Sequence, residues 1–301
     1  MVKYKLVFCD FDDTLAVSGR EVGEYTRRMI AAYRAAGGTF VICSGRSRKS
    51  LEHRLASVYG DATGIPYICL QGGVIVDGDG RELRRLYADK RDVIRASDAA
   101  YKAGCDVVFH ADGDVFAREK TDISENYARL TGCPITYLPY ADIAREYDGE
   151  FDKMMILSST ASRAALEDVA RMRLAGSRFM FSGETYLELV PAQSGKGSAV
   201  KFMTEKLGLT KDDTAAFGDA DNDVDMLGAV GLPVAVRNAM PGCVAAAKLI
   251  APSAADEGPA HVLDMFIYPD QRRKCSRKPL ENDGEMCYNN INTIQRRSRI
   301  C

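Results

Sequence analysis

The sequence predicts an α/β fold: a Rossmann-like core built on a parallel sheet, with an α+β domain inserted into it. Three observations predict this. Short, continuous apolar runs alternate with helical patterns early in the chain, as strands buried on both faces of a parallel sheet do. The same alternation returns late in the chain. Between the two stretches, hairpin-like pairs mix with helices over a length ordinary for a domain.

The elements follow in order. Residues 5–9 are the first apolar run. A helical pattern from Val22 to Ala36 is closed by Gly37 and Gly38. TFVICS, residues 39–44, reads as a second buried strand, and a helix from Arg48 to Tyr59 follows it. This βαβ unit predicts a right-handed crossover and parallel pairing. Tyr67 to Leu70 adds a strand, Gly72-Gly73 punctuates, and VIVD, residues 74–77, runs into a Gly78-Asp79-Gly80 turn. The core is thus expected over 1–78 and 188–267, with the insert over 79–187. In the insert, CDVVFHAD and GDVFARE pair as a hairpin, and helical patterns cover 91–103, 122–131 and 161–175. Beyond it, TAAFGD (214–219), LPVAV (232–236) and KLIAP (248–252) alternate with helices over 197–207 and 223–229, and a last helix spans Pro259 to Met265.

Residues 268–301 break the pattern. Eight Lys/Arg against four Asp/Glu give them a charge of +4, and apolar periodicity is missing. They are expected to be a basic tail, disordered or loosely docked; an acidic partner is the sharper alternative.

The 301 residues are 46% hydrophobic and 27% charged, ample for a packed core. A net charge of -2 calls for neither nucleic acid nor an acidic membrane surface. No stretch has the ~20 apolar residues of a membrane span, and the run Leu6 to Cys9 passes directly into acids, unlike a signal peptide. The cytoplasm is the expected location. Nine cysteines without a CxxC pair, with Cys9, Cys43 and Cys69 inside buried runs, suit a reducing compartment. His53, His110 and His261 stand too far apart in sequence for the usual zinc pattern.

Four strand ends carry polar clusters. The first run ends in Asp10-Phe11-Asp12-Asp13-Thr14, where Asp10 and Asp12 share one side of an extended segment. They would meet at the carboxyl edge of the sheet, where open α/β sheets bind ligands. Carboxylates this close repel unless a cation bridges them, and Mg²⁺ prefers such oxygen ligands. The second strand ends in Ser44-Gly45-Arg46, offering a hydroxyl and a backbone amide ahead of a helix. Gly195-Lys196-Gly197 opens a helix with a lysine between small neighbours, without the spacing of a P-loop. Finally, Gly218-Asp219-Ala220-Asp221-Asn222-Asp223 follows TAAF. Each alone has an ordinary explanation: a turn, an N-cap serine, a surface lysine, acids at a helix start. Four in this order are harder to assign to chance.

That order resembles the haloacid dehalogenase-like hydrolases, and SGR, GKG and GDADND resemble their Cof-type branch. The resemblance covers the two core segments and leaves room between Ser44 and Lys196 for that branch's inserted cap. It implies a phosphatase in which Asp10 is the nucleophile and Asp12 the general acid and base. It implies Mg²⁺ held by Asp10, the Asp12 backbone carbonyl and Asp219, with Asp223 holding or orienting that site. Ser44, the Gly45 amide and Lys196 would cradle the phosphoryl group, and Asn222 would serve its edge. Many relatives have glycine where Asp13 stands; aspartate tolerates the backbone angles such a turn needs.

The expected partner is a small phosphorylated metabolite, such as a sugar phosphate, under a closing cap. Two alternatives stay open: a phosphosugar mutase passing the phosphoryl group to a sugar, and a non-enzymatic sensor of a phospho-ligand. Arg46 and Arg118 are further candidates to meet an anionic or hydroxyl-rich substrate.

Overall fold

Every side chain of strand β1 (Leu6–Cys9) is buried, on alternating faces of one sheet. Leu6 and Phe8 pack with Val41 and Cys43 on one side; Val7 and Cys9 pack with Phe40 and Ile42 on the other. This is a computed structural model, and it describes residues 1–59, 64–159 and 163–267.

Helix α1 (Glu24–Ala35) follows β1, and the chain turns at Gly37 in the left-handed region, φ +94°, before β2 (Thr39–Cys43). Helix α2 (Arg48–Tyr59) starts behind Ser47, whose Oγ accepts from the Ser50 amide at 3.3 Å. Then come β3 (Tyr67–Cys69), β4 (Val74–Val76) and β5 (Glu82–Arg85). Helix α3 (Lys90–Lys102) begins under an Asp89 cap. The hairpin β6 (Asp106–Ala111) and β7 (Asp114–Ala117) leads to α4 (Asp122–Thr131), which opens on a Thr121–Ser124 capping box. Short β8 (Thr136–Tyr137) and α5 (Ile143–Glu146) precede β9 (Lys153–Leu157), α6 (Arg163–Ala170), β10 (Ser177–Phe181) and β11 (Tyr186–Pro191). The chain ends its described part with α7 (Lys196–Lys206), β12 (Thr214–Gly218), α8 (Val224–Ala229), β13 (Leu232–Val236), α9 (Pro241–Ala246), β14 (Leu249–Ala251) and α10 (Gly258–Phe266).

Two sheets result. The larger runs β14-β13-β12-β1-β2-β3-β4-β5, parallel from β14 to β3 and antiparallel beyond. β1 therefore lies between β2 and β12, with Cys9 in register with Ile42 and Phe217. The residues that follow these three strands stand side by side at one edge. The smaller sheet runs β10-β11-β9-β6-β7-β8. One of its faces is apolar: Phe109, Met154, Ile156, Leu187 and Leu189 share a core with residues of α3, α5 and α6. The opposite face carries His110, Lys153 and Glu188, all buried, beside Val108 and Met155.

Two strands cross the borders expected of the insert. β5 belongs to the larger sheet; its ELRR sequence is half-buried and polar, so no apolar run announced it. β11, whose apolar run was expected to resume the core near residue 188, is an interior strand of the smaller sheet. A strand covered on both faces reads alike in either sheet. Helix α6 ends at Ala170 rather than near 175, with Met172 and Leu174 packing on the smaller sheet's core from the following turn. Residues 161–162 of that expected helix, and the expected tail 268–301, lie outside the described residues. Among the described residues no helix is long and apolar enough to cross a membrane.

Candidate active site

The end of β1 delivers Asp10, and β12 delivers Asp219, into one cleft of about 400 Å³. Its walls include Asp12, Ser44, Gly45, Gln71 and Asn222 from the larger sheet's edge, and Lys153 and Glu188 from the smaller sheet. A hollow of about 980 Å³ opens beside it and shares Asp12 and Arg46, but Asp10 and Asp219 do not line it. The acidic chemistry belongs to the smaller space.

Lys196, at the first turn of α7, is 1% exposed and donates to two acids at once. Its Nζ lies 2.5 Å from Asp10 Oδ1 and 2.5 Å from Asp223 Oδ1. The start of α7 is pinned by Asp225, whose Oδ2 accepts from the Gly197 amide at 3.0 Å. Asp223 is fully buried and uses its other oxygen to accept from the Asp219 and Ala220 amides, at 3.1 and 3.2 Å. Asp219 in turn accepts from the buried Thr14 hydroxyl at 2.6 Å. Carboxylate oxygens of Asp10, Asp219 and Asp223 all lie within 4.8 Å of one another.

The charges do not balance by themselves. Three carboxylates face one ammonium. Burial pushes Asp10 well above the usual carboxylate range, Lys196 opposing and Asp223 adding to it. Burial also raises Asp219 to about 6, against the Thr14 hydrogen bond. Burial alone would lower Lys196, yet Asp10 and Asp223 hold it well above its ordinary value, so it stays charged. A divalent cation among these three oxygens would cancel the surplus. A hard, all-oxygen donor set is what Mg²⁺ takes, so the residues present fit it. The neighbouring thiols of Cys9 and Cys43 are pushed well up by burial and are poor nucleophiles.

Asp12 lines the same cleft but has a different partner. It pairs with Arg46: Nε donates to Oδ2 at 2.7 Å and Nη2 to Oδ1 at 2.8 Å. β1 ends at Cys9 and a turn follows, so Asp10 and Asp12 reach the same cleft from a turn rather than from the extended segment expected. Asp13 takes φ +59° there, the left-handed angle for which aspartate is suited. Its carboxylate accepts from the Ser18 amide and hydroxyl.

Ser44 and Gly45 sit where β2 ends. The Ser44 Oγ accepts from the Arg46 amide at 3.2 Å. A Cβ on Gly45 would meet Gln71 Nε2 at 2.5 Å, so a larger residue there would displace the Gln71 side chain. Gln71 itself has φ +54° and is buried, and its Oε1 accepts from Asn222 Nδ2 at 3.3 Å. Gln71, Thr14 and Asp225 are site residues to which the sequence reading gave no role. The one signal for Gln71 was its place before Gly72-Gly73 at a strand end. Arg118 is not brought to the cleft: it stacks on Tyr101 at 4.3 Å and pairs with Glu119 beside a separate hollow.

A family model described as haloacid dehalogenase-like hydrolase matches residues 7–263. An HMP-PP phosphatase of Enterobacter is 26% identical over 253 residues, covering 80% of this chain and 87% of the relative. A haloacid dehalogenase-like hydrolase of Bacteroides thetaiotaomicron superposes with a TM-score of 0.77 at 22% identity, over 87% of this chain and 99% of that one. A protein of Thermotoga maritima does so with a TM-score of 0.78 at 21% identity, over 87% and 97%. At such identities these two likenesses concern the fold alone.

Proposed function

The chain belongs to the haloacid dehalogenase-like hydrolases, and on that premise we propose that it is a magnesium-dependent phosphatase of small phosphorylated metabolites, working through an aspartyl-phosphate on Asp10. The observation that carries this reading is the buried bridge of Lys196 between Asp10 and Asp223, beside Asp219, at the end of β1. A kinship with phosphatases such as the Enterobacter HMP-PP phosphatase supports the reaction class.

An Asp10 carboxylate oxygen attacks phosphorus, and the bond from phosphorus to the ester oxygen breaks. Asp12 gives its proton to the departing oxygen. Water then attacks the same phosphorus, Asp12 takes a proton from it, and the bond from Asp10 to phosphorus breaks. Phosphate leaves, and Asp10 returns as a carboxylate. Lys196 holds the Asp10 carboxylate in place and offsets negative charge on the transferring group. Ser44, the Gly45 amide and Asn222 line the cleft as its cradle. Asp10, Asp219 and the Asp12 backbone carbonyl would hold Mg²⁺, with Asp223 holding or orienting that set, and the ion would supply electrostatic stabilisation of the phosphoryl oxygens.

Phosphate release from a panel of phosphorylated metabolites, with Mg²⁺ and with EDTA, tests the reading. Release is expected only with Mg²⁺, and Asp10→Asn is expected to lower it by at least about 10³-fold. Undiminished turnover in that variant would overturn the mechanism.

A further inference from the structure

Strands β9 and β11 are apolar along their length except at one position each, Lys153 and Glu188. Both side chains are buried, 5% and 3% exposed, and Lys153 Nζ lies 2.8 Å from Glu188 Oε2. Among the described residues, Lys153 is the hydrogen-bond partner of the Glu188 carboxylate. Lys153 also donates, at 3.3 Å, to the backbone carbonyl of Gly45 on the opposite wall. Burying an ion pair in a sheet seldom gains stability over apolar side chains of the same size. Packing therefore does not account for this pair.

Its position does. Lys153 and Glu188 line the cleft that holds Asp10, and they are the two charged residues that the smaller sheet turns into it. Lys153 is in register with His110, which bonds the Tyr127 hydroxyl at 2.9 Å and which burial, with Lys153, holds well below its ordinary value, hence neutral. The wall facing the nucleophile is thus one fixed cation, one fixed anion and neutral polar groups.

We infer that the Lys153–Glu188 pair is the specificity-determining element of this enzyme. It selects a phosphate monoester whose leaving group is neutral and carries hydroxyls, and it disfavours one that brings a second anion to this wall. A hydroxyl can donate to Glu188 and accept from Lys153 together, matching a paired donor and acceptor. A second anionic group would face the Glu188 carboxylate, which repels it, while Lys153, which would attract it, is already engaged by Glu188 and the Gly45 carbonyl. The inference rests on the phosphatase reading above and adds to it the residues that choose the substrate.

The test is the ratio of kcat/KM for a polyhydroxylated monophosphate, glucose 6-phosphate, to that for p-nitrophenyl phosphate, whose leaving group has no further hydroxyl. Glu188→Gln keeps the shape and removes the anion. Lys153→Met with Glu188→Leu removes both charges together and so avoids leaving one buried unpaired. The ratio is expected to fall at least 10-fold in both variants, with KM for the hydroxylated substrate rising. Fructose 1,6-bisphosphate is expected to gain relative to glucose 6-phosphate in Glu188→Gln. A wild-type enzyme active on these substrates whose ratio survives in the double variant would overturn this inference alone. A folded wild-type protein inactive on all of them with Mg²⁺ would overturn the phosphatase reading, and this one with it.

Discussion

Arg46 closes on Asp12 with both arms of its guanidinium, Nε at 2.7 Å from one oxygen and Nη2 at 2.8 Å from the other. A fork of this kind fixes the carboxylate plane as well as its position. Arg46 is itself steadied by a third hydrogen bond, from Nη1 to Ser50 Oγ at 3.2 Å on α2. The fork suits ionised Asp12, the form that takes the proton from water, so the proposed general base is oriented from the second strand and helix, across the cleft from its own loop. Arg46→Lys keeps the charge but cannot form the fork. It is expected to lower kcat by about 10-fold or more, in proportion to lost orientation, with KM changing less. Steady-state kinetics on any accepted substrate reads this; an unchanged kcat would make the pair a resting contact without a role in turnover.

Thr14 bears on the proposed metal site rather than on the proton. Its side chain is fully buried and donates to Asp219 Oδ1 at 2.6 Å. That bond aims one of the three clustered carboxylates. Thr14→Val has nearly the same shape and no donor, so Asp219 loses its guide. Such outer partners of ligands are commonly worth 10- to 100-fold in metal affinity, roughly. The Mg²⁺ concentration giving half-maximal activity is expected to rise by about that factor, and Thr14→Ser should restore most of it.

His110 predicts a stability that depends on pH. Burial first, then the nearby Lys153, holds its folded value well below the ordinary one. Below pH ~6.5 an unfolded chain protonates this imidazole and the folded one does not. The unfolded state then binds more protons, so stability falls as pH falls through that window, by up to about 1.4 kcal/mol per pH unit from this group, until the lowered folded value is reached. His110→Gln leaves a polar group opposite the Tyr127 hydroxyl and cannot titrate. Urea melts at pH 7 and pH 5 should show a smaller loss in the variant than in the wild type. Equal losses would place the acid sensitivity elsewhere.

The parts of the site that were legible in the sequence are those that end a strand. Asp10, Ser44 and Asp219 each follow an apolar run, and parallel pairing of β1 with β2 and β12 brings their positions to one edge. What was not legible depends on approach in space. Asp12 was read beside Asp10, and its partner Arg46, reached only after a helix and a strand, was not foreseen. Gln71 matters because it fills the space beside Gly45, and nothing in its neighbours announces that contact. Lys153 and Glu188 are separated by 35 residues, and only the antiparallel pairing of β9 with β11 makes them a pair. β11 was expected in the larger sheet for a related reason: a strand's own sequence states how buried it is, and its partners decide which sheet it joins.

Gly72 tests whether the floor of the site is rigid. Two glycines have nearly the same left-handed angle, Gly72 at φ +84° and Gly80 at φ +79°. A Cβ on Gly80 would meet nothing within 4 Å, whereas on Gly72 it would lie 2.2 Å from the carbonyl oxygen of Gly195. That oxygen belongs to the residue just before Lys196, and backbone cannot yield as a flexible side chain does. Gly80→Ala should cost only the conformational penalty, about 1 kcal/mol. Gly72→Ala adds a backbone clash to the same penalty and should cost roughly 3 kcal/mol or more in urea melts. The relief available to it is to push the start of α7 away from the sheet edge, which carries Lys196 off Asp10. Any folded Gly72→Ala protein should therefore lose turnover as well, while Gly80→Ala keeps it. Equal stability losses in the two variants would mean that the two loops are not held in contact, and that Lys196 is positioned by its acidic partners alone.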